Sequence, residues 1–146
     1  MNHILNIRSE DWLLIDLCRL EFSDEQINAL RLLVPVIADW GYFRKLANDH
    51  GIAALVWHNL EKYKLTATIP DEVTEILRGS YLKSLSRNAF NTESLGGVLK
   101  LLNAEKIKTI LLKGMALENS VYGNEGLRQM TDVDILISRD ECIRAR

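Results

Sequence analysis

Residues 71–106 contain no proline and read as one long helix, the longest element that the sequence predicts. Pro70 precedes this segment and suits a first helical turn. Backbone N–H groups there have no partner within the helix, so the missing N–H of proline costs nothing. Gly79, Gly96 and Gly97 weaken the helix locally, and each costs roughly 1 kcal/mol relative to alanine. The sequence therefore predicts a largely helical structure up to residue 106.

Shorter helices are predicted ahead of the long one. The apolar residues that follow Ser9 suit a mostly buried helix, and the sequence SDEQ at residues 23–26 has the form of a capping box that begins a second helix. Pro35 is expected to kink this second helix, and Gly41 is expected to end it. Two further short helices, divided near Gly51, are predicted to follow.

The character of the sequence changes at IKTILLKG, residues 107–114. Its β-branched and apolar residues predict a buried strand, which stops at Gly114. The segments MALENSVY and GNEG then predict a short helix and a loop, and a second strand is predicted at residues 132–137. The predicted fold class is therefore α+β, with a helical region at residues 1–106 and the start of a sheet within residues 107–146.

Two aspartates interrupt the second predicted strand, in a segment that is otherwise largely apolar. Aspartate is a poor strand former, so another requirement must favour it here. Side chains alternate along a strand, and Asp132 and Asp134 therefore share one face with Leu136. Neighbouring carboxylates repel each other unless water, a hydrogen-bond donor or a cation compensates them, and a divalent metal compensates them best. The pair predicts a metal site, and a solvated strand end is the alternative interpretation.

The composition is that of a globular domain, because 47% of the 146 residues are hydrophobic and 26% are charged. The formal net charge of −2 gives no general reason to expect a polyanion, so nucleic acid is not an implied partner. Cys18 and Cys142 lie outside any metal-binding spacing, and we interpret them as reduced thiols. The N-terminal residues make a poor signal peptide and no apolar run is long enough for a bilayer, so we predict a cytoplasmic protein without a membrane partner.

Three residues near the aspartates suit the binding of a phosphate group. Gly114 would let the backbone approach a ligand closely at the start of a helix, where free N–H groups favour an anion. Lys113 would add a positive charge, and Arg128 could fork onto phosphate oxygens. Two Mg²⁺ ions, held by Asp132, Asp134 and a further carboxylate, would suit this set to nucleotidyl transfer. In the alternative interpretation, Lys113 is a surface charge and Arg128 pairs with a nearby carboxylate.

The stretch LLKGMALENSVYGNEGLRQMTDVDILIS resembles the uncharacterised bacterial nucleotidyltransferases of the polymerase-β-like superfamily. In that family a Lys-Gly turn is followed by an arginine and then by an Asp-x-Asp strand. The matching residues are Lys113, Gly114, Arg128, Asp132 and Asp134. The resemblance, over residues 107–139, implies a nucleotidyltransferase core with Mg²⁺ as cofactor, a nucleoside triphosphate as donor and an unknown acceptor. It also implies that Lys113, Gly114 and Arg128 bind the nucleotide, whereas Asp132 and Asp134 are catalytic and hold the metal.

The sequence also departs from the pattern of the wider superfamily, which places serine after the turn glycine and a third carboxylate on a later strand. Met115 stands at the serine position, and no candidate for the third carboxylate follows Asp134 at a strand position. The sequence SRDE at residues 138–141 has capping-box form, but few residues follow it. We therefore expect an inactive fragment that can self-associate through an exposed sheet edge. The alternative function is a non-catalytic helical interaction module or an antitoxin-like regulatory module.

Overall fold

The computed structural model describes residues 7–145, which divide into two compact units between Leu82 and Lys83. The helices of the first unit are α1 (Ser9–Asp16), α2 (Asp24–Leu33), α3 (Trp40–Asp49) and α4 (Ala53–Lys62), with single 3-10 turns at Val34–Val36 and Thr66–Thr68. Helix α5 spans Asp71–Ala104, so it begins in the first unit and ends in the second. The long helix predicted within residues 71–106 is therefore confirmed.

The helices of the first unit pack around a continuous apolar core. Leu13 of α1, Phe43 of α3 and Leu77 of α5 are fully buried within it. Every apolar residue of α4 is buried as well. Burial of such side chains contributes roughly 1.5–3 kcal/mol each, so the core is the main stabilising feature of this unit.

Asn59 is a buried polar residue within this core, and its side chain binds the backbone that follows α1. Its Nδ2 donates hydrogen bonds to the backbone oxygens of Leu17, at 2.9 Å, and Arg19, at 2.8 Å. Carbonyls at the end of a helix lack partners within the helix, so a buried side-chain donor satisfies groups that would otherwise be costly to bury.

The start of α2 agrees with the prediction, and its end does not. Ser23 and Gln26 form the predicted capping box, with Ser23 N donating to Gln26 Oε1 at 2.9 Å and Gln26 N donating to Ser23 Oγ at 3.3 Å. The predicted kink at Pro35 is wrong, because α2 stops before the 3-10 turn that contains this proline. Gly41 does not end a helix; it lies in the first turn of α3, where Asp39 caps the backbone at Tyr42.

The second unit contains a two-stranded sheet beside the last turns of α5. Strand β1 covers Thr109–Leu111, α6 covers Lys113–Leu117 and continues into a π-helical turn at Glu118–Tyr122, and β2 covers Ile135–Ile137. The strands are antiparallel, with Thr109 opposite Ile137 and Leu111 opposite Ile135. The predicted order of strand, short helix, loop and strand is confirmed, but both strands are shorter than predicted. The predicted glycine turn is wrong, because Lys113 and Gly114 already belong to α6.

The prediction that the first strand is buried is wrong. Ile110 is 60% exposed, and its antiparallel partner Leu136 is 51% exposed. The sheet is covered on one face alone, where Leu111 and Ile135 pack against a small core. That core consists of the buried residues Leu95, Met115 and Met130. The continuous apolar sequence of β1 suggested burial on both faces of the sheet. In the antiparallel pair, every second side chain instead points away from the core.

The capping box predicted at residues 138–141 does not form. Residues Arg139–Glu141 make a 3-10 turn, and the Ser138 side chain makes no capping hydrogen bond. Starting a helix is unfavourable, because the first turn restricts several backbone angles and gains few hydrogen bonds. A local capping signal alone is therefore not sufficient to begin an α-helix here.

The α+β fold class is confirmed, with helices first and the small sheet after them. The predicted domains, residues 1–106 and 107–146, stay a prediction, as does a cytoplasmic location. None of the helices in the described part of the chain combines the length and the apolar character that crossing a bilayer requires.

Candidate active site

The pairing of β1 with β2 brings the predicted site segments together at one end of the sheet. The backbone N–H of Leu112, just after β1, donates to the carbonyl of Asp134, just before β2, at 3.0 Å. The Lys-Gly segment at residues 113–114 therefore starts directly opposite the segment that carries both aspartates. The antiparallel register, rather than any local signal, creates this proximity.

The prediction that the two aspartates lie within a strand is wrong, because β2 begins at Ile135 and both aspartates precede it. The predicted alternation of side chains nevertheless holds in this extended segment. Val133 and Ile135 pack against the small core, whereas Asp132 is exposed and Asp134 is half-buried on the outward side with Leu136. Asp132 Oδ1 accepts a long hydrogen bond, 3.5 Å, from the hydroxyl of Thr131. Both carboxylates therefore remain accessible to solvent and to a ligand.

Lys113 is the first residue of α6 and pairs with an aspartate. Its Nζ is 2.9 Å from Asp134 Oδ2, and 72% of its side chain is exposed. The hydrogen bond to Asp134 raises the pKa of Lys113, and the charges of Asp134 and Asp132 raise it further. Its backbone φ of 47° lies in the left-handed region, which residues other than glycine adopt infrequently. The ammonium group of Lys113 thus balances the negative charge of Asp134, one of the two neighbouring carboxylates.

Gly114 is closely packed against the side chain of Met130. A Cβ added at this position would lie 2.5 Å from Sδ and 2.9 Å from Cγ of Met130, and 3.7 Å from Nε of Arg128. Met130 therefore occupies the space that the absence of a side chain leaves free. Met115, at the position where the wider superfamily has serine, is 1% exposed and belongs to the same core. Its side chain faces the interior, so it contributes packing instead of a hydroxyl group.

Arg128 lies on the loop that precedes the aspartates, and its guanidinium forms no ion pair with any residue that the structure describes. Its Nε is buried without a hydrogen-bond partner. The alternative interpretation, in which Arg128 pairs with a nearby carboxylate, is therefore wrong. An unpaired guanidinium beside Gly114 is available to an anionic ligand, since its fork of donors matches phosphate oxygens.

Sequence reasoning missed two buried polar residues of the second unit, Asn88 and Glu118. Asn88 of α5 is fully buried, and its Nδ2 donates to the backbone oxygens of Glu125 and Arg128. Glu118 is 5% exposed, and its Oε2 has no hydrogen-bond partner. Polar residues on the inward side of otherwise apolar helix faces are the signal that could have identified both.

Glu118 is held in an unfavourable environment for a charge. Burial raises the pKa of its carboxyl group, and the negative charge of Glu125 raises that pKa further. A carboxyl group whose pKa is raised on folding stabilises the folded state while it is protonated, and this contribution is lost as the pH rises through the raised pKa. Ionised Glu118 therefore weakens the fold at neutral pH.

Replacing Glu118 with glutamine is expected to raise the free energy of unfolding at neutral pH, because glutamine cannot ionise. The gain should shrink as the pH falls toward the ordinary glutamate pKa of about 4.3, because the native side chain becomes protonated in both states. Urea unfolding of both proteins between pH 4 and 8 measures the difference. A difference that does not depend on pH would contradict the assignment.

Glu10 provides the control with the opposite sign. Its Oε1 accepts hydrogen bonds from the backbone N–H groups of Asp39, at 3.0 Å, and Ala38, at 3.2 Å, and these bonds lower the pKa of its carboxyl group. The variant Glu10→Gln should therefore be less stable than the native protein at neutral pH. This loss should fade as the pH falls through the lowered pKa, since protonation removes the same contribution from the native protein.

The donor chemistry of the site fits Mg²⁺, which prefers oxygen ligands. Asp132 and Asp134 present carboxylate oxygens on the accessible side of the segment before β2. No group of three or more histidine, cysteine, aspartate or glutamate residues suited to a metal ion occurs among residues 7–145. Two carboxylates are sufficient for Mg²⁺ where substrate phosphates and water complete its shell, so the residues fit a metal that binds together with a nucleotide.

Comparisons with known proteins identify a family for this chain. No curated protein and no solved structure matches it. A family described as uncharacterised nucleotidyltransferases matches residues 37–146, which is more than half of the chain and includes both the candidate site and the helices from α3 onward. The resemblance noted in the sequence therefore extends well ahead of residue 107. On this match, the chain belongs to the family of uncharacterised nucleotidyltransferases.

Proposed function

We propose that this protein transfers a nucleoside monophosphate from a nucleoside triphosphate to a hydroxyl or phosphate acceptor, with Mg²⁺ as cofactor. The observation that supports this proposal is the convergence of three segments. The ion pair between Lys113 and Asp134 joins the Lys-Gly segment to the aspartates, and Gly114 lies beside the unpaired guanidinium of Arg128. Cationic groups and paired carboxylates at one end of a sheet suit a metal-bound triphosphate.

The aspartates and Lys113 have complementary roles in this proposal. Asp132 and Asp134 would hold Mg²⁺ together with the donor phosphates, and the bound ion would neutralise charge on the triphosphate and its leaving pyrophosphate. Lys113 balances Asp134 in the free protein. Its exposed side chain is free to turn toward the phosphates once another cation compensates that carboxylate.

Arg128 supplies binding that is directed at the phosphate oxygens. Because no carboxylate of the described residues competes for its guanidinium, no ion pair must be broken before a phosphate binds. Arginine can place two parallel N–H donors on one phosphate group, which fixes the orientation of the group as well as its position. The proposed role of Arg128 is therefore to orient the triphosphate beside Gly114.

Replacing Arg128 with alanine is expected to weaken binding of an α,β-methylene nucleoside triphosphate by roughly tenfold, since one charge-assisted contact is lost. Affinity for Mg²⁺ alone should not change, because Arg128 is not a metal ligand in this proposal. Isothermal titration with and without Mg²⁺, repeated for the four common bases, measures both quantities. Arg139→Ala, which removes an exposed arginine of the same unit, is the matched control and should bind like the native protein.

The titrations together with an assay of pyrophosphate release separate the proposed transferase from a regulatory protein that keeps the fold without turnover. The native protein should bind the analogue only with Mg²⁺. With a suitable acceptor and an α-labelled triphosphate, it should release pyrophosphate and move the label to the acceptor. Metal-dependent binding without pyrophosphate release in the presence of any acceptor tested would favour the regulatory module. No binding of any of the four analogues would overturn the proposed function.

A further inference from the structure

We propose that Asn88 is a positioning residue, which holds Arg128 in place for the triphosphate. This inference rests on the proposed function, because it concerns the loop that presents Arg128. Asn88 lies on the buried side of α5 with no exposed surface, so it cannot contact a ligand in solvent. Its effect must therefore pass through the groups that it binds.

The side chain of Asn88 binds two points of one loop. Its Nδ2 donates to the carbonyl of Glu125 at 2.6 Å and to the carbonyl of Arg128 at 2.7 Å. Within the loop, Gly126 N donates to Asn124 Oδ1 at 2.8 Å and Leu127 N donates to Asn124 O at 3.3 Å. Both ends of the turn from Glu125 to Arg128 are thus tied to a rigid helix by one amide group.

The second of these hydrogen bonds is made by the backbone of Arg128 itself. Its guanidinium forms no ion pair within residues 7–145, and its Nε is buried without a partner. The position of this side chain is therefore set by packing and by its backbone, and Asn88 fixes the backbone. A binding group that is held in place before the ligand arrives loses less conformational entropy on binding.

The protein contains a second asparagine with the same geometry and no connection to the site. Asn59 in the first unit is fully buried and donates through Nδ2 to two carbonyls, those of Leu17 and Arg19. The Oδ1 atoms of Asn59 and Asn88 are both buried without a partner. The two residues therefore have comparable structural roles, and only Asn88 lies beneath a predicted nucleotide-binding residue.

The test compares Asn88→Ala with Asn59→Ala in the whole chain. Both variants should lower the melting temperature, because each removes two hydrogen bonds from a fully buried side chain to backbone carbonyls. Asn88→Ala should also weaken Mg²⁺-dependent binding of the α,β-methylene triphosphate by about fivefold to tenfold, whereas Asn59→Ala should bind within about twofold of the native protein. Amides of residues 125–128 should exchange with solvent faster in Asn88→Ala alone.

A double-mutant cycle shows whether Asn88 acts through Arg128. If it does, Asn88→Ala should have little further effect on nucleotide affinity once Arg128 is alanine, because the group that it positions is absent. Additive losses would overturn the inference, as would an unchanged affinity in Asn88→Ala. Asn88→Ser, which retains one hydroxyl donor, should show an intermediate loss and serves if the alanine variant does not fold. Absence of binding by the native protein would instead overturn the proposed function.

Discussion

Replacing Asp134 with asparagine is expected to weaken Mg²⁺-dependent nucleotide binding and transfer sharply. The substitution keeps nearly the same volume but removes one of two carboxylates that would hold the metal, and an amide oxygen is a much weaker ligand for a hard cation. We expect transfer to fall by at least about a hundredfold, a change of roughly 2.7 kcal/mol in activation free energy. Isothermal titration and pyrophosphate release measure the two effects.

Stability should change little in the same variant. Asp134→Asn removes the ion pair with Lys113, but 72% of the lysine side chain and 35% of the aspartate side chain are exposed. Pairs of this kind contribute roughly 0–1 kcal/mol, and the loss is offset by relief of repulsion with Asp132. Asp140→Asn, which changes an exposed aspartate of the same unit, is the matched control. Equal metal-dependent nucleotide affinity in native protein and Asp134→Asn would contradict the proposed metal site.

Local signals predicted the order of the elements well, because each depends on neighbouring residues. The long helix α5 follows from a segment without proline, and the capping box at Ser23 follows from four adjacent residues. The same kind of signal failed at Ser138, where a single 3-10 turn forms. A capping motif stabilises a helix only when enough residues follow and pack, and neither requirement can be read from the motif itself.

The contacts that build the candidate site could not be predicted in the same way. The Lys113–Asp134 pair joins residues far apart in sequence and depends on the register of β1 and β2. The hydrogen bonds of Asn88 depend on the packing of a distant loop against α5. The sequence suggested that Gly114 serves a ligand, whereas the structure shows it against Met130. Spacing of residues along the chain indicates candidate chemistry, but the pairing of side chains depends on tertiary packing.

Replacing Gly114 with alanine is expected to destabilise the second unit by about 1–3 kcal/mol, the usual effect of overpacking a filled site. The new methyl group would overlap Met130, and displacement of Met130 would disturb its packing with Leu95 and Met115. Thermal or urea unfolding measures the loss. Gly97→Ala is the matched control, because nothing lies within 4 Å of a Cβ at this position of α5 and alanine favours a helix.

Shortening Met130 should reverse much of the loss of stability caused by Gly114→Ala. The double variant can therefore show whether the glycine is needed for packing or for close approach of a ligand. The double variant Gly114→Ala with Met130→Ala should be more stable than the sum of the single losses predicts, since the added methyl group fills space that methionine leaves. In that variant the new Cβ would still lie 3.7 Å from Arg128 Nε, an ordinary contact. If packing alone requires the glycine, the double variant should bind the triphosphate analogue about as tightly as Met130→Ala. Weaker binding would mean that the ligand also approaches the backbone at Gly114, as the sequence suggested.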